Sequence, residues 1–110
     1  MTPTEARSKL QHLTAGEILA IIADRCPRRS VREAAGLGYG HVLGLYRITP
    51  AWGDHWFAWK ARIETEPGQF RLVLVTITRD RKLLAAETTT LDESARVSVL
   101  NGTGRIHHRS

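Results

Sequence analysis

Apolar positions along the chain change their spacing once, near residue 40. Before that point they recur at helical intervals: Ile18, Ile21 and Ile22 share a stripe with Arg25, and Leu19, Ile22 and Cys26 widen it. That segment reads as a centrally packed helix, apolar over most of its surface. Three S/T-x-x-E patterns mark helix starts, because the two side chains of such a box satisfy each other's orphan backbone donors. They run from Thr2 to Glu5, with Pro3 at the first helical position, from Thr14 to Glu17, and from Ser30 to Glu33. Pro27 limits the second helix. Gly36, Gly38, Gly40 and Gly44 then weaken any long third helix and mark a change of architecture.

From Val42 the period becomes two. Val42 to Thr49, His55 to Thr65, Phe70 to Arg79 and Leu83 to Leu91 are rich in β-branched and aromatic residues and read as strands. Pro50 and Gly53, Pro67 and Gly68, and the charged run Arg79 to Lys82 separate them, which suits short antiparallel connections. Asp92 to Ser94 breaks the pattern, Arg96 to Leu100 can add a short edge strand, and Asn101 to Gly104 is loop-like. Residues 1–104 are therefore expected to form one α+β domain, N-terminal helices packed on a four- to five-stranded antiparallel meander, with 105–110 a basic C-terminal tail.

The central hairpin turns at Glu66-Pro67-Gly68-Gln69. Pairing Thr65 with Phe70 sets Ile63, Ala61, Trp59 and Phe57 opposite Leu72, Leu74, Thr76 and Thr78 as a core face. Ile22, Trp59, Leu72 and Leu74 should then be nearly fully buried. The second face would carry Trp56, Lys60, Arg62, Val73, Val75, Ile77 and Arg79, together with a Glu64–Arg71 pair. Apolar, aromatic and cationic groups are mixed there as interface centres often mix them, so these seven are the expected partner-binding residues.

Charge changes the picture. Sixteen Lys+Arg against 11 Asp+Glu leave +5, and thirteen of the cations are arginine, which favours an acidic partner and forked contacts to its carboxylates or phosphates. Arg25, Arg28, Arg29 and Arg32 form one expected anion-binding cluster; Arg79, Arg81 and Lys82 form another. The macrodipole gives the first an ordinary structural reason as well. The expected partner is an acidic protein or a second copy of the chain, with nucleic acid as the alternative and no membrane. No signal-peptide pattern opens the chain, and the apolar stretch Ile18 to Ala23 is too short to span a bilayer, so a cytoplasmic setting is expected.

Other chemistry is thinly represented. Cys26 is the only cysteine and reads as a small apolar residue. Asp54 and His55 are adjacent, but strand neighbours point to opposite faces. The histidines lack two-ligand spacing. Gly36 to His41 resembles a phosphate loop without the Lys-Ser/Thr of a P-loop, and it precedes a strand rather than following one. No catalytic residue, metal or cofactor is assigned.

Segment Ser30 to Arg47 also has elements of a helix-turn-helix, which would make the hairpin the wing of a winged-helix domain. Gly40 and Gly44 in its recognition helix argue for the strand instead. Helices followed by a four-stranded meander resemble cystatin-like and PepSY-like domains in element order; PepSY-type domains are usually extracytoplasmic. That likeness implies a fold and no residue roles. The leading expectation is a non-enzymatic binding module engaging a larger acidic partner. A small enzyme with a helix–sheet pocket near Tyr46, Asp54 or His55 is the third reading.

Overall fold

A computed structural model describes residues 1–50 and 52–88 throughout, together with the backbone of 96–99 and 106–109. Three helices come first: α1 (Pro3–Gln11), α2 (Ala15–Arg25) and α3 (Arg29–Gly36). The first two start where their caps announce. The Glu5 N–H donates to Thr2 Oγ1 at 3.2 Å, and Thr14 and Glu17 close a full capping box. At α3 the expected Ser30 to Glu33 box does not form. Pro27 ends α2, and Arg28, in an extended conformation, turns the chain into α3 two residues before Ser30, with no side-chain cap. Glu33 instead receives the Arg29 guanidinium, one turn back, at 2.8 Å.

The glycine-rich segment closes α3 and lets the sheet approach. Gly38 takes φ +85°, the Gly38 N–H donates to the Ala35 carbonyl and the Tyr39 N–H to that of Ala34, the pairing of a Schellman motif. A side chain at Gly40 would come within 2.7 Å of Ile63 Cδ1 and Leu19 Cδ2. Glycine there lets β1 pack under α2, a structural task that accounts for the segment without a phosphate.

Strands β1 (Gly40–Ile48), β2 (Trp56–Glu66), β3 (Gln69–Ile77) and β4 (Leu83–Thr88) form an antiparallel sheet in sequential order. The chain is thus α+β, helices before a four-stranded antiparallel sheet, and the recognition helix of the winged-helix alternative is strand β1. Strands β5 (Arg96–Val99) and β6 (Ile106–Arg109) pair antiparallel as a separate ribbon. Residues 106–109, which the composition assigns to a tail, are therefore paired strand. The ribbon approaches both edges of the sheet, β5 near β1 and β6 near β4. The remainder of the fourth expected strand, 89–91, and the loop 101–104 lie outside the described residues.

The hairpin register corrects the expected one. Glu66 pairs with Gln69 across the Pro67-Gly68 turn, then the register shifts at Thr65, and Glu64 pairs with Phe70, Arg62 with Leu72, Lys60 with Leu74 and Ala58 with Thr76. Gly68 has φ +77°, as a Pro-Gly type II turn requires. Such a turn splays flanking strands, and a bulge of one residue on β2 absorbs the mismatch. One extra residue reverses every face relation between the strands.

As a result Val73, Val75 and Ala85 join Ala61 and Ile63 beneath Ile18, Ile22, Val31, Ala34 and Ala35 of α2 and α3. Phe57 and Trp59 share this parity, and α1 meets both: Arg7 lies 4.9 Å from the Phe57 ring centre, and the Trp59 indole N–H donates to the Leu10 carbonyl at 2.7 Å. A second cluster joins Ala6 and Leu10 to Ile48, Trp56, Ala58, Leu74, Ile77 and Ala86. Of the four expected core residues, Ile22 and Leu74 are buried, while Trp59 and Leu72 are half-buried.

Candidate functional site

The seven expected partner-binding residues do not form one surface. Val73, Val75 and Ile77 are buried in the two clusters; Trp56 is buried at the end of the sheet, and Lys60, on the opposite side from Val73 and Val75, is only 3% exposed with its ammonium 4.2 Å from the Tyr46 ring centre. Arg62 remains exposed and lies over Phe70 at 4.7 Å. Arg79, beyond the end of β3, pairs with Asp54 instead of Trp56. The bulge at Thr65 is the physical cause: it sends the β3 valines under the helices. Glu64 and Arg71 are likewise not partners, since Glu64 faces Phe70 and Arg71 faces Ile63.

Most of the first arginine cluster works inside the fold. Arg32 clamps the α2–α3 corner, donating to the carbonyls of Cys26 and Pro27 at 2.8 Å each. Arg28 ties that corner to β4 through Glu87 at 2.8 Å. Arg29 holds Glu33. Cys26 is buried beside them, and desolvation pushes its thiol above the usual range, which suits packing rather than reactivity.

Arg25 has a different setting. At the last turn of α2 it donates to the Leu83 carbonyl at 3.0 Å, and that contact brings it to the β3–β4 turn. There Arg25, Arg79, Asp80 and Lys82 surround a cleft of about 650 Å³ whose apolar wall is Trp52, Leu83 and Leu84. Its volume is in the range of small-ligand sites.

Local hydrogen bonding fixes the turn. The Thr78 N–H donates to the Lys82 carbonyl at 2.8 Å, the Lys82 N–H donates to the Thr78 hydroxyl at 3.1 Å and the Arg81 N–H to the Thr78 carbonyl at 2.9 Å, and Arg81 adopts φ +66°. The Thr78 hydroxyl donates to Asp80 and, with smaller help from Lys82 at 3.6 Å, holds its carboxyl below the usual carboxylate range. On the other wall Gly53, with φ +91°, closes a tight turn onto the Pro50 carbonyl. Trp52 stands edge-to-face with Trp56, ring centres 5.4 Å apart. Both indole N–H groups are buried, with no acceptor among the described residues.

The sequence offers Arg25 and the Arg79 to Lys82 run as members of two separate clusters. Only the helix–sheet packing unites them; the one sequence-level hint is that a meander brings the β1–β2 and β3–β4 connections to the same end. The residues of the pocket-enzyme reading do not converge: Tyr46 underlies Lys60, Asp54 binds Arg79, and His55 is exposed. Among the described residues no three metal-ligating side chains gather, and no helix is long and apolar enough to cross a membrane. No protein-family profile, curated protein or solved structure matches the chain.

Proposed function

We propose that this domain is a non-enzymatic, cytoplasmic binding module that engages an acidic protein through the cleft at the end of the sheet. The observation that carries this reading is the convergence of Arg25, from the end of α2, with Arg79 and Lys82, from the β3–β4 turn, around an aromatic and aliphatic wall. Cations beside apolar surface make the directional, charge-assisted contacts on which acidic side chains dock.

Nucleic acid suits the surface less well. Asp24, Asp54, Asp80, Glu33 and Glu87 are each paired with one of its cations, so an extended polyphosphate would meet carboxylates at every step instead of a single-sign stripe. A second copy is also disfavoured, because two chains of net charge +5 repel.

The test is fluorescence anisotropy with a labelled glutamate-rich peptide, its glutamine counterpart and single- and double-stranded DNA, over a salt series. The acidic peptide alone should bind well, and the double replacement Arg25→Gln, Lys82→Gln should weaken it by about tenfold or more while the chain stays folded by circular dichroism. Tighter DNA binding with a steep salt slope would instead establish the nucleic-acid alternative.

A further inference from the structure

Three cations at one cleft pose a narrower question: which anion they accept. Of the lining groups Arg25, Arg79 and Lys82 are positive and Asp80 is negative. Asp54 is bound to Arg79, and Asp24 lies 3.4 Å from Arg25. Counting the carboxylates that accompany these cations, the site is close to neutral. A phosphoryl dianion would bring two negative charges against Asp80 and Asp54, and a carboxylate only one. A single negative charge is better matched, since it can share the Arg79 and Lys82 donors that their present acidic partners leave open.

The walls add a second constraint. Trp52, Leu83 and Leu84 contribute apolar surface next to the charges, and a small hydrated anion such as acetate would leave that surface wet. A ligand with an apolar body covers it and gains burial energy in proportion.

From these features we infer that the cleft accepts an apolar monocarboxylate, an aliphatic or aromatic group carrying one carboxylate. This rests on the cleft being the binding site. Two sources supply that chemistry: the free C-terminus of a polypeptide ending in an apolar residue, and a free apolar acid.

The experiment follows the three indole cross-peaks in a ¹H–¹⁵N spectrum of the intact chain, with Trp52 assigned through Trp52→Phe. The probes are N-acetyl-phenylalanine, its primary amide, 3-phenylpropanoate, acetate and inorganic phosphate. The Trp52 peak should move saturably with N-acetyl-phenylalanine, 3-phenylpropanoate or both, at concentrations about tenfold or more below those needed for acetate or phosphate. The amide should be silent. Arg79→Gln and Lys82→Gln, each at an exposed position, should weaken the effect while leaving the rest of the spectrum in place.

A response to N-acetyl-phenylalanine alone identifies a chain terminus as the source; an equal response to 3-phenylpropanoate extends it to free acids. Equal binding of acid and amide, tighter binding of phosphate, or shifts confined to Trp59 would overturn the inference. If every small probe is silent while the glutamate-rich peptide still binds, this inference falls and the acidic-partner reading stands. Silence from both removes the cleft as a binding site.

Discussion

The two sides of the central hairpin are buried with different chemistry. Toward α2 and α3 the sheet presents Ala61, Ile63, Val73, Val75 and Ala85, and the helices answer with Ile18, Ile22, Val31, Ala34, Ala35 and the Cys26 thiol. On the other side Ala58, Leu74 and Ala86 share the space with Lys60, Thr76 and Thr88. The hydroxyl of Thr76 donates to the Phe57 carbonyl at 2.6 Å, and Lys60 lies over Tyr46. An aliphatic interface asks only for volume and area, and such cores tolerate repacking. A side with buried polar groups also asks for partners, and a slip of one residue would take those partners away. The difference explains the register. With the expected pairing Thr76 would lie under the helices among aliphatic groups, whereas the bulge at Thr65 puts Val73 and Val75 there instead.

The comparison breaks most visibly at Val75. In the expected register a carboxylate at this position would disrupt association and spare the fold. Here Val75 is fully buried against aliphatic neighbours, and an unpaired buried charge costs several kcal/mol, comparable with the whole stability of a small domain. Val75→Glu should therefore yield an unfolded or molten chain by circular dichroism and denaturant titration. A cooperative melt near that of the parent would return Val75 to the surface.

A truncation on each side tests whether both are cores. Ile63 is fully buried on the helix side and Leu74 is 1% exposed on the other. Ile63→Ala and Leu74→Ala should each cost about 2–5 kcal/mol in urea unfolding. A Leu74→Ala cost below about 1 kcal/mol would mean that this side is only loosely covered.

The same particulars show how much was legible in the sequence. Helix starts at Thr2 and Thr14 are local, two side chains satisfying nearby backbone, and both were readable. Ser30 to Glu33 has the same S/T-x-x-E pattern and fails, because Pro27 and Arg28 have already turned the chain. The four strands follow from period two, but their faces do not, since one extra residue at Thr65 leaves the pattern intact while reversing the partners. The β5–β6 ribbon was half readable: Arg96 to Leu100 alternates, whereas Ile106–Arg109 is too short and polar to announce itself. The cleft was the least legible part. Arg25 and Lys82 meet only because α2 crosses the end of the sheet, and no spacing in the chain encodes that crossing.

The smallest effect separates two threonines two residues apart on β3. Thr76→Val removes a buried donor from the Phe57 carbonyl and should cost about 0.5–1.5 kcal/mol, equally at every pH, since no titrating group takes part. Thr78→Val acts at the exposed turn, where the hydroxyl donates to Asp80 and accepts from the Lys82 N–H at 3.1 Å. Losing the contact with Lys82 gives a constant penalty. Losing the contact with Asp80 gives one that depends on pH. In the folded chain the Asp80 carboxyl is held below its ordinary range, chiefly by Thr78. A depressed carboxyl stabilises the fold above its unfolded pKa, and that contribution disappears as the pH falls through the folded value. The difference in melting temperature between parent and Thr78→Val should thus be level near neutrality and narrow below the ordinary carboxylate range, while the Thr76→Val difference stays constant. Asp80 is exposed, so the narrowing should be small and should shrink further in high salt. Parallel behaviour of the two variants across the whole pH range would show that the Thr78 hydroxyl serves the turn backbone alone and leaves the Asp80 carboxylate to water.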